Sequence, residues 1–167
     1  MGGGKIEKTI AKIRSHFENR DDIGIIVVCG SNKVMFNKLN ESNDPKITVV
    51  GYTDDMPSYI RASSLFITKP GGLSSTEAAV CGVPILHTSQ IPGCESDNAK
   101  FFSEHGMSIY GEMNERMMNY IETILTEEAV SSAMVACQKR YVDPYSAEKI
   151  CDLSESISEQ KTMFVNC

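Results

Sequence analysis

Residues 65–98 combine two short apolar runs, two polar loops and one helical stretch, and this arrangement constrains the fold more than any other feature. The apolar run at residues 65–68 leads into a turn with two adjacent glycines. A helical stretch at residues 74–81 follows, and then a second apolar run at residues 84–87. Two neighbouring strands joined through a helix run parallel, because the helix returns the chain to the edge from which it started. The segment therefore predicts a strand–helix–strand unit of a parallel sheet.

The same alternation continues on both sides of this segment. Residues 25–29 are apolar at every position and mostly β-branched, which is typical of a strand buried on both faces. Ile6, Ile10 and Ile13 repeat at helical spacing. The sequence therefore predicts an α/β fold, a Rossmann-like parallel sheet with helices on both faces. The predicted strands are residues 25–29, 47–50, 65–68, 84–87 and 107–110, and the predicted helices are residues 5–19, 32–39, 56–62, 74–81, 95–105, 113–125, 127–141 and 147–158.

The first strand of such a fold has no residues to form it. A doubly wound domain normally begins with a strand that leads into its first glycine loop, and this strand lies in the middle of the sheet. Here the glycines already begin at residue 2. We therefore expect a domain truncated at its N-terminus, with the first strand missing and the sheet open between residues 25–29 and 65–68.

Size, charge and hydropathy exclude several classes of partner. The 167 residues, 41% apolar and 23% charged, fit one globular domain, which we place at residues 1–160 with a tail at residues 161–167. The net charge of −6 argues against a nucleic-acid surface, which needs an excess of Lys and Arg. No segment approaches the roughly 18 apolar residues of a membrane span, and the polar N-terminus does not resemble a signal peptide. We therefore expect a cytoplasmic protein.

The cysteines and histidines do not follow a metal-binding or disulfide pattern. The six cysteines are scattered without a C-x-x-C pair, and none of the three histidines stands at ligand spacing from them. We therefore expect free thiols and no metal site.

The turn before the third helix predicts an anion site. Gly71 and Gly72, followed by Leu73 and Ser74, let backbone amides approach a phosphate, and the helix presents its positive end to it. Glu77 follows one turn into the helix, where its carboxylate can accept hydrogen bonds from sugar hydroxyls. This chemistry indicates a nucleotide-sugar. Ser74 and Glu77 also fit a capping box, in which Ser74 caps the helix and Glu77 reaches back to the amide of the cap.

A polar loop after the fourth predicted strand carries donors and acceptors for sugar hydroxyls. It contains Pro92, Gly93, Cys94, Glu95 and Asn98. Amide and carboxylate side chains suit hydroxyl groups, which both donate and accept hydrogen bonds. The alternative is an ordinary turn with acidic residues at the start of a helix.

The loop after the second predicted strand is a candidate pocket for a flat base. Gly51, Tyr52 and Met56 offer backbone groups for the edge of the ring and side chains for its face. The alternative is a plain connection in which Asp54 or Asp55 caps the next helix.

Three glycines at the N-terminus give a further, weaker phosphate-binding signal. Gly2, Gly3 and Gly4 precede the first predicted helix. They match neither G-x-G-x-x-G nor the P-loop pattern, so they favour neither a nicotinamide cofactor nor ATP.

Taken together, these loops resemble the C-terminal, nucleotide-sugar-binding half of the MurG-like glycosyltransferases, which are the GT-B enzymes of glycosyltransferase family 28. Within that family the chain resembles diacylglycerol glucosyltransferases and monogalactosyldiacylglycerol synthases in particular. The match covers about residues 1–110. The residues that carry it are Gly2-Gly3-Gly4, Val28-Cys29-Gly30 with Asn32, Gly51-Tyr52 with Asp55-Met56, Ile67 through Ser74, Glu77-Ala78, Gly82-Val83-Pro84 and Ile91-Pro92-Gly93 up to Asn98.

The resemblance implies the donor domain of an inverting hexosyltransferase, with UDP-glucose or UDP-galactose as donor and no metal cofactor. Cys94 departs from the family, which usually has glutamine there, and the general base of the family lies in the N-terminal half, so no catalytic residue is expected in this chain. By resemblance, the diphosphate is bound by Gly2, Gly3, Gly4, Gly71, Gly72, Leu73 and Ser74, the ribose by Glu77, the uracil by Gly51, Tyr52 and Met56, and the sugar by Pro92, Gly93, Cys94, Glu95 and Asn98.

The resemblance also implies partners that this chain does not contain. A lipid acceptor such as diacylglycerol would bind to a missing N-terminal domain or to a partner subunit, and contact with the inner face of the membrane would be peripheral and made by that half. On this basis the isolated chain is expected to be inactive. Three alternatives remain open. They are the UDP-sugar-binding subunit of a split N-acetylglucosaminyltransferase, a non-catalytic relic of the fold, and a UDP-sugar epimerase of the same architecture.

Overall fold

The computed structural model describes residues 3–88 and 93–165, and it describes the side chains of residues 6–88 and 93–158. Within these residues strands and helices alternate as far as the fifth strand, and three helices follow. The α/β fold class is confirmed. The strands are β1 (Ile25–Val28), β2 (Ile47–Val50), β3 (Phe66–Thr68), β4 (Ile85–His87) and β5 (Ile109–Tyr110), and the helices are α1 (Gly3–His16), α2 (Lys33–Glu41), α3 (Met56–Arg61), α4 (Gly72–Cys81), α5 (Cys94–Glu104), α6 (Glu115–Thr126), α7 (Glu128–Tyr141) and α8 (Ser146–Val165).

All pairings between strands in the described residues are parallel, and they form two sheets. β1 pairs with β2, with Ile25 opposite Ile47. β4 lies between β3 and β5, with Leu86 opposite both Ile67 and Ile109. Within the described residues no ladder joins β1 to β3. The expected opening between these two strands is therefore present.

Helix α1 connects the two sheets through its buried face. Ile10 belongs to the apolar cluster of the first sheet, together with Val27 and Met35. Ile13 and Phe17 belong to a second cluster that includes Leu86 of β4 and buried side chains of α6. Burial of apolar side chains on both sides holds the sheets together although their strands are not hydrogen-bonded to each other.

Helix α4 is fixed against the second sheet along its buried face. Ala78 and Ala79 pack with Ile60 of α3 and Ile85 of β4. The helix ends at Gly82, whose φ of 70° lies in the left-handed region that favours glycine. The amino end of α4 is thereby held at the carboxyl edge of the sheet.

The loops after β3 and β4 begin side by side at that edge. The amide of Thr88 donates to the carbonyl of Thr68 at 3.0 Å, which continues the ladder past both strands. Ligands of open α/β sheets bind at this edge. The two loops predicted to bind diphosphate and sugar therefore leave the sheet next to each other.

The helix predicted at residues 147–158 extends into the segment that was predicted as a tail. Residues 161–165 continue α8, and residues 166–167 lie outside the described residues. Each described side chain from residue 146 to residue 158 is exposed, including the apolar Ile150, Leu153 and Ile157. Residues 159–165 carry neither glycine nor proline, so nothing in the local sequence ends the helix.

Candidate functional site

The glycine turn opens α4 without a side-chain cap. Gly71 is the N-cap residue, in an extended conformation with φ of −77° and ψ of 140°, and α4 begins at Gly72. The amide of Ser75 donates to the carbonyl of Gly71 at 3.0 Å. In the part of the chain that the structure describes, the amides of Gly72, Leu73 and Ser74 have no acceptor. Three donors and the positive end of the helix are therefore available to an anion.

The glycines keep this end of α4 open. Neither has a positive φ, so their backbone conformation alone does not demand glycine. A Cβ on Gly71 would stand 3.9 Å from Cε of Lys69, and one on Gly72 would stand 3.8 Å from Nδ2 of Asn98. Side chains at these positions would thus cover the space that the loops share.

The capping-box interpretation of Ser74 and Glu77 is wrong. The N-cap is Gly71, so Ser74 is the third residue of α4 and Glu77 the sixth. Glu77 is exposed, and no hydrogen bond to its side chain occurs among the described residues. Glu77 lies about 7.5 Å along the helix axis from Gly72, given a rise of roughly 1.5 Å per residue. Its carboxylate is therefore free to meet the sugar of a nucleotide whose phosphates lie at the helix end.

Helix α5 follows the second loop and contacts the glycine turn. Gly93 caps α5 with φ of 106°, in a region that L side chains rarely adopt. Nδ2 of Asn98 donates to the carbonyl of Pro70 at 3.1 Å. Cys94 is exposed at the first position of α5, and Pro92 lies outside the described residues.

An ion pair joins the segment after β3 to the start of α5. Nζ of Lys69, the residue after β3, contacts Oε1 of Glu95 in the first turn of α5. The Lys69 side chain is 35% exposed and that of Glu95 is 14% exposed, so the pair is partly withdrawn from solvent. The structure thus brings together Gly71, Gly72, Glu95 and Asn98, which are four of the predicted site residues.

Lys69 was not among the predicted site residues. Glycine amides were expected to bind the anion, and no role was assigned to Lys69, which precedes Pro70 and the two glycines. A lysine adjacent to a predicted diphosphate loop is the signal that could have revealed it.

The predicted base pocket is not joined to this cluster by a described contact. Gly51 follows β2, and Tyr52 is 75% exposed. Met56 is partly buried and packs against the apolar cluster around Ile60. Oδ1 of Asp55 accepts from the amide of Ser58 at 3.3 Å, which confirms the capping role considered for this loop. The base-binding role stays a prediction.

The N-terminal glycines are only partly described. Gly3 and Gly4 form the start of α1, whereas Gly2 lies outside the described residues. Their role at a diphosphate also stays a prediction.

A buried histidine lies next to the amino end of α4. His87, the last residue of β4, has no exposed surface and contacts the hydroxyls of Ser75 and Ser108. Burial lowers the pKa of His87 to about 4, so its ring is neutral at pH 7. This group was not predicted, because nothing in the local sequence marks a histidine at the end of a strand as hydrogen-bonded.

Neither a metal cluster nor a membrane-spanning helix occurs among the described residues. Among residues 6–88 and 93–158, whose side chains the structure describes, no group of three His, Cys, Asp or Glu side chains is placed to hold a metal ion. No described helix is both long and apolar enough to cross a bilayer.

Comparison with known proteins decides the family. The model of the glycosyltransferase family 28 C-terminal domain matches residues 2–148. The chain belongs to this family. The glycosyltransferase domain is 31% identical over 130 residues to a processive diacylglycerol beta-glucosyltransferase of Bacillus subtilis strain 168, a match that covers 76% of the chain and 34% of that enzyme. The chain thus spans about a third of the length of the curated relatives that it matches.

Solved structures confirm the architecture of the glycosyltransferase domain. MurG of Acinetobacter baumannii superposes with a TM-score of 0.66 at 19% identity, covering 89% of this chain and 46% of MurG. A putative UDP-N-acetylglucosamine 2-epimerase of Listeria monocytogenes superposes with a TM-score of 0.75 at 21% identity, covering 95% of this chain and 42% of the epimerase. At these identities the likeness establishes the fold alone. The fold is that of the C-terminal half of GT-B glycosyltransferases, as the sequence resemblance implied.

Proposed function

We propose that this domain is the UDP-sugar-binding half of an inverting hexosyltransferase whose acceptor is a lipid such as diacylglycerol. The observation that carries the proposal is the uncapped amino end of α4, with Glu77 exposed farther along the same helix. Such an end suits a diphosphate, and the carboxylate suits the neighbouring ribose. Family membership and the diacylglycerol glucosyltransferase relative support the choice of reaction and acceptor.

The donor is proposed to lie along α4 and across the two loops. The amides of Gly72, Leu73 and Ser74 bind its diphosphate, and Glu77 accepts hydrogen bonds from both ribose hydroxyls. The uracil occupies the loop after β2, beside Tyr52. The remaining contacts fall to the other predicted residues, namely Gly2, Gly3, Gly4 and Gly71 for the diphosphate, Gly51 and Met56 for the uracil, and Pro92, Gly93, Cys94, Glu95 and Asn98 for the hexose.

The proposed reaction places a growing negative charge at the end of α4. An acceptor hydroxyl oxygen forms a bond to C1 of the hexose from the face opposite UDP, which inverts that carbon. The bond between C1 and the phosphate oxygen breaks, and its electron pair stays on UDP. Fixed amides and the helix end stabilise that charge in place of a metal ion. Loss of one such donor typically raises a barrier by about 2.7–4 kcal/mol.

The rest of the active site is proposed to come from outside this domain. The base that takes the proton of the acceptor hydroxyl, and the surface that binds the lipid, belong to a second domain or to a partner subunit. The domain spans about a third of the length of its curated relatives, which leaves room in those enzymes for such a part.

Titration calorimetry with UDP tests the proposal. We expect UDP to bind in the presence of a chelator and Glu77→Ala to weaken binding at least tenfold, since two hydrogen bonds to a charged group are lost, each worth about 1.5–3 kcal/mol. Glu41→Ala is the matched control, because Glu41 is also exposed on a helix but lies at the far end of α2. Equal affinities of the wild type and the Glu77 variant would rule out the ribose contact, and no binding by the wild type would refute the function.

A further inference from the structure

The ammonium group of Lys69 lies between the starts of two helices. Lys69 follows β3 directly and precedes the glycine turn of α4. Its Cε lies 3.9 Å from the position that a Cβ on Gly71 would take, so the side chain runs along the turn. At its end Nζ contacts Glu95 in the first turn of α5. A single cation thus links the amino ends of α4 and α5.

This position is electrostatically unusual for a lysine. The amino end of a helix carries a partial positive charge, which repels a cation and attracts an anion. Glu95, only 14% exposed, compensates the charge in the structure as it stands. The free amides of Gly72, Leu73 and Ser74 nearby are hydrogen-bond donors, so they do not neutralise the positive charge of Lys69. A lysine held here therefore suits a ligand that brings negative charge.

We propose that Lys69 is a catalytic residue of this domain, whose ammonium contacts the β-phosphate of the UDP leaving group. The inference rests on the proposed function and adds to it the Lys69 ammonium, whose positive charge is complementary to the negative charge of the diphosphate. Glu95 is the partner that keeps Lys69 at this place before the donor enters. Its negative charge competes with the diphosphate for the same ammonium.

The step assigns no proton transfer to Lys69. The acceptor oxygen bonds to C1, the bond from C1 to the β-phosphate oxygen breaks, and the electron pair moves onto that oxygen. The proton of the acceptor hydroxyl goes to the base outside this domain. Lys69 stays protonated, and its hydrogen bond to the phosphate strengthens as the charge on that oxygen grows.

The affinities of uridine, UMP and UDP, measured by calorimetry on the whole chain, test this assignment. We expect Lys69→Met to weaken UDP binding at least about tenfold, UMP binding less, and uridine binding not at all, since only the phosphates meet the ammonium. Lys69→Arg keeps the charge and is expected to retain most of the UDP affinity. Lys100→Met is the control, because Lys100 lies on α5 but is 72% exposed.

Glu95→Gln separates an electrostatic role from a structural one. Without the competing carboxylate, UDP affinity is expected to stay level or rise. A loss as large as that of Lys69→Met would show that the pair only clamps the loops together, and it would overturn the proposal. Should Lys69→Met fail to fold, the double variant Lys69→Met with Glu95→Gln, which leaves neither charge unpaired, takes its place.

The ligand series also separates this inference from the proposed function. Unchanged UDP affinity in Lys69→Met, or equal losses for uridine and UDP, would overturn the role of Lys69 while leaving a UDP-binding domain. A wild-type protein that binds neither uridine nor UDP would overturn both.

Discussion

The hydroxyl oxygen of Ser75 lies 2.9 Å from Nε2 of His87 and ties the amino half of α4 to the end of β4. On the other side of the ring, Nδ1 lies 3.0 Å from the hydroxyl oxygen of Ser108. A neutral imidazole has one donor and one acceptor nitrogen, so one serine donates to the ring and the other accepts from it. These buried hydrogen bonds hold α4 in position against the sheet, next to the candidate diphosphate site at the amino end of the helix.

Replacement of this histidine is expected to destabilise the fold. In His87→Phe, the hydroxyls of Ser75 and Ser108 stay buried but lose a partner. An unsatisfied buried polar group costs about 1–3 kcal/mol, so we expect a loss of at least about 2 kcal/mol in the free energy of unfolding. Urea denaturation measures it. His16→Gln, on the exposed face of α1, is the control and is expected to stay within about 0.5 kcal/mol of the wild type.

His87 also predicts how stability depends on pH. The pKa of His87 in the folded protein, about 4, lies below the ordinary histidine value of 6.5, so the unfolded chain binds the proton more readily. The stabilisation is therefore complete above pH 6.5 and is lost as the pH falls from 6.5 towards 4. At about 1.36 kcal/mol per pKa unit, the change amounts to about 3 kcal/mol. Denaturation midpoints measured between pH 4 and pH 7.5 test it.

Denaturation midpoints of His87→Phe over the same pH range provide the control, since that variant is expected to lack the loss of stability between pH 6.5 and pH 4. The described groups that contact the ring, Ser75, Ser108 and Phe102, carry no charge, so the pKa shift has burial as its cause. The carboxyl of Asp44 affects the free energy of unfolding in a different pH range. Its hydrogen bond from Arg14 lowers the pKa of its carboxyl below 3.8, and its contribution is lost only under more acidic conditions. A pH dependence that is identical in both proteins would contradict the assignment to His87.

Replacement of Gly93 is expected to destabilise the fold because of the backbone conformation at this position. Its φ of 106° strains any L side chain, although no atom within 4 Å would contact an added Cβ. We expect Gly93→Ala to cost about 1–3 kcal/mol in the free energy of unfolding. In Gly24→Ala, the control, the new Cβ meets its nearest atom at 3.8 Å and φ is not positive. Equal thermal stability of the two variants would show that the start of α5 adapts to the side chain.

Sequence patterns were sufficient to locate the strands. Apolar runs such as residues 47–50 mark them, whereas the contact between Asn98 and the glycine turn follows from the structure. Local rules failed at the start of α4, where Ser74 fits a cap better than glycine does. The extended backbone at Gly71 begins the helix three residues earlier, and this depends on how the turn leaves the sheet.

Local sequence patterns could not predict side-chain contacts between residues that are far apart in the chain. Lys69 and Glu95 stand 26 residues apart, and Ser75 lies in α4, His87 in β4 and Ser108 just before β5. A side chain that is polar in the sequence does not reveal which distant partner satisfies it. These partners follow only once the packing of α4 and α5 on the sheet is known.

Asn98 of α5 donates a hydrogen bond to the glycine turn, and loss of this donor is expected to weaken the contact between α5 and the turn. In Asn98→Asp a carboxylate replaces the amide that donates to the carbonyl of Pro70, so two oxygens face each other. An unmade hydrogen bond of this kind costs about 1–3 kcal/mol. We expect UDP-glucose affinity to fall about tenfold and UDP affinity to fall less, since Asn98 is proposed to face the hexose.

Calorimetry with both ligands gives the two affinities, and Asn119→Asp is the control. Asn119 is exposed on α6, so its variant has the same change in charge without the contact between the loops. If Asn98→Asp lowers both affinities equally, the residue acts through the glycine turn alone. If it lowers neither, the hydrogen bond to Pro70 does not position the donor, and the hexose contacts must come from other residues of the second loop.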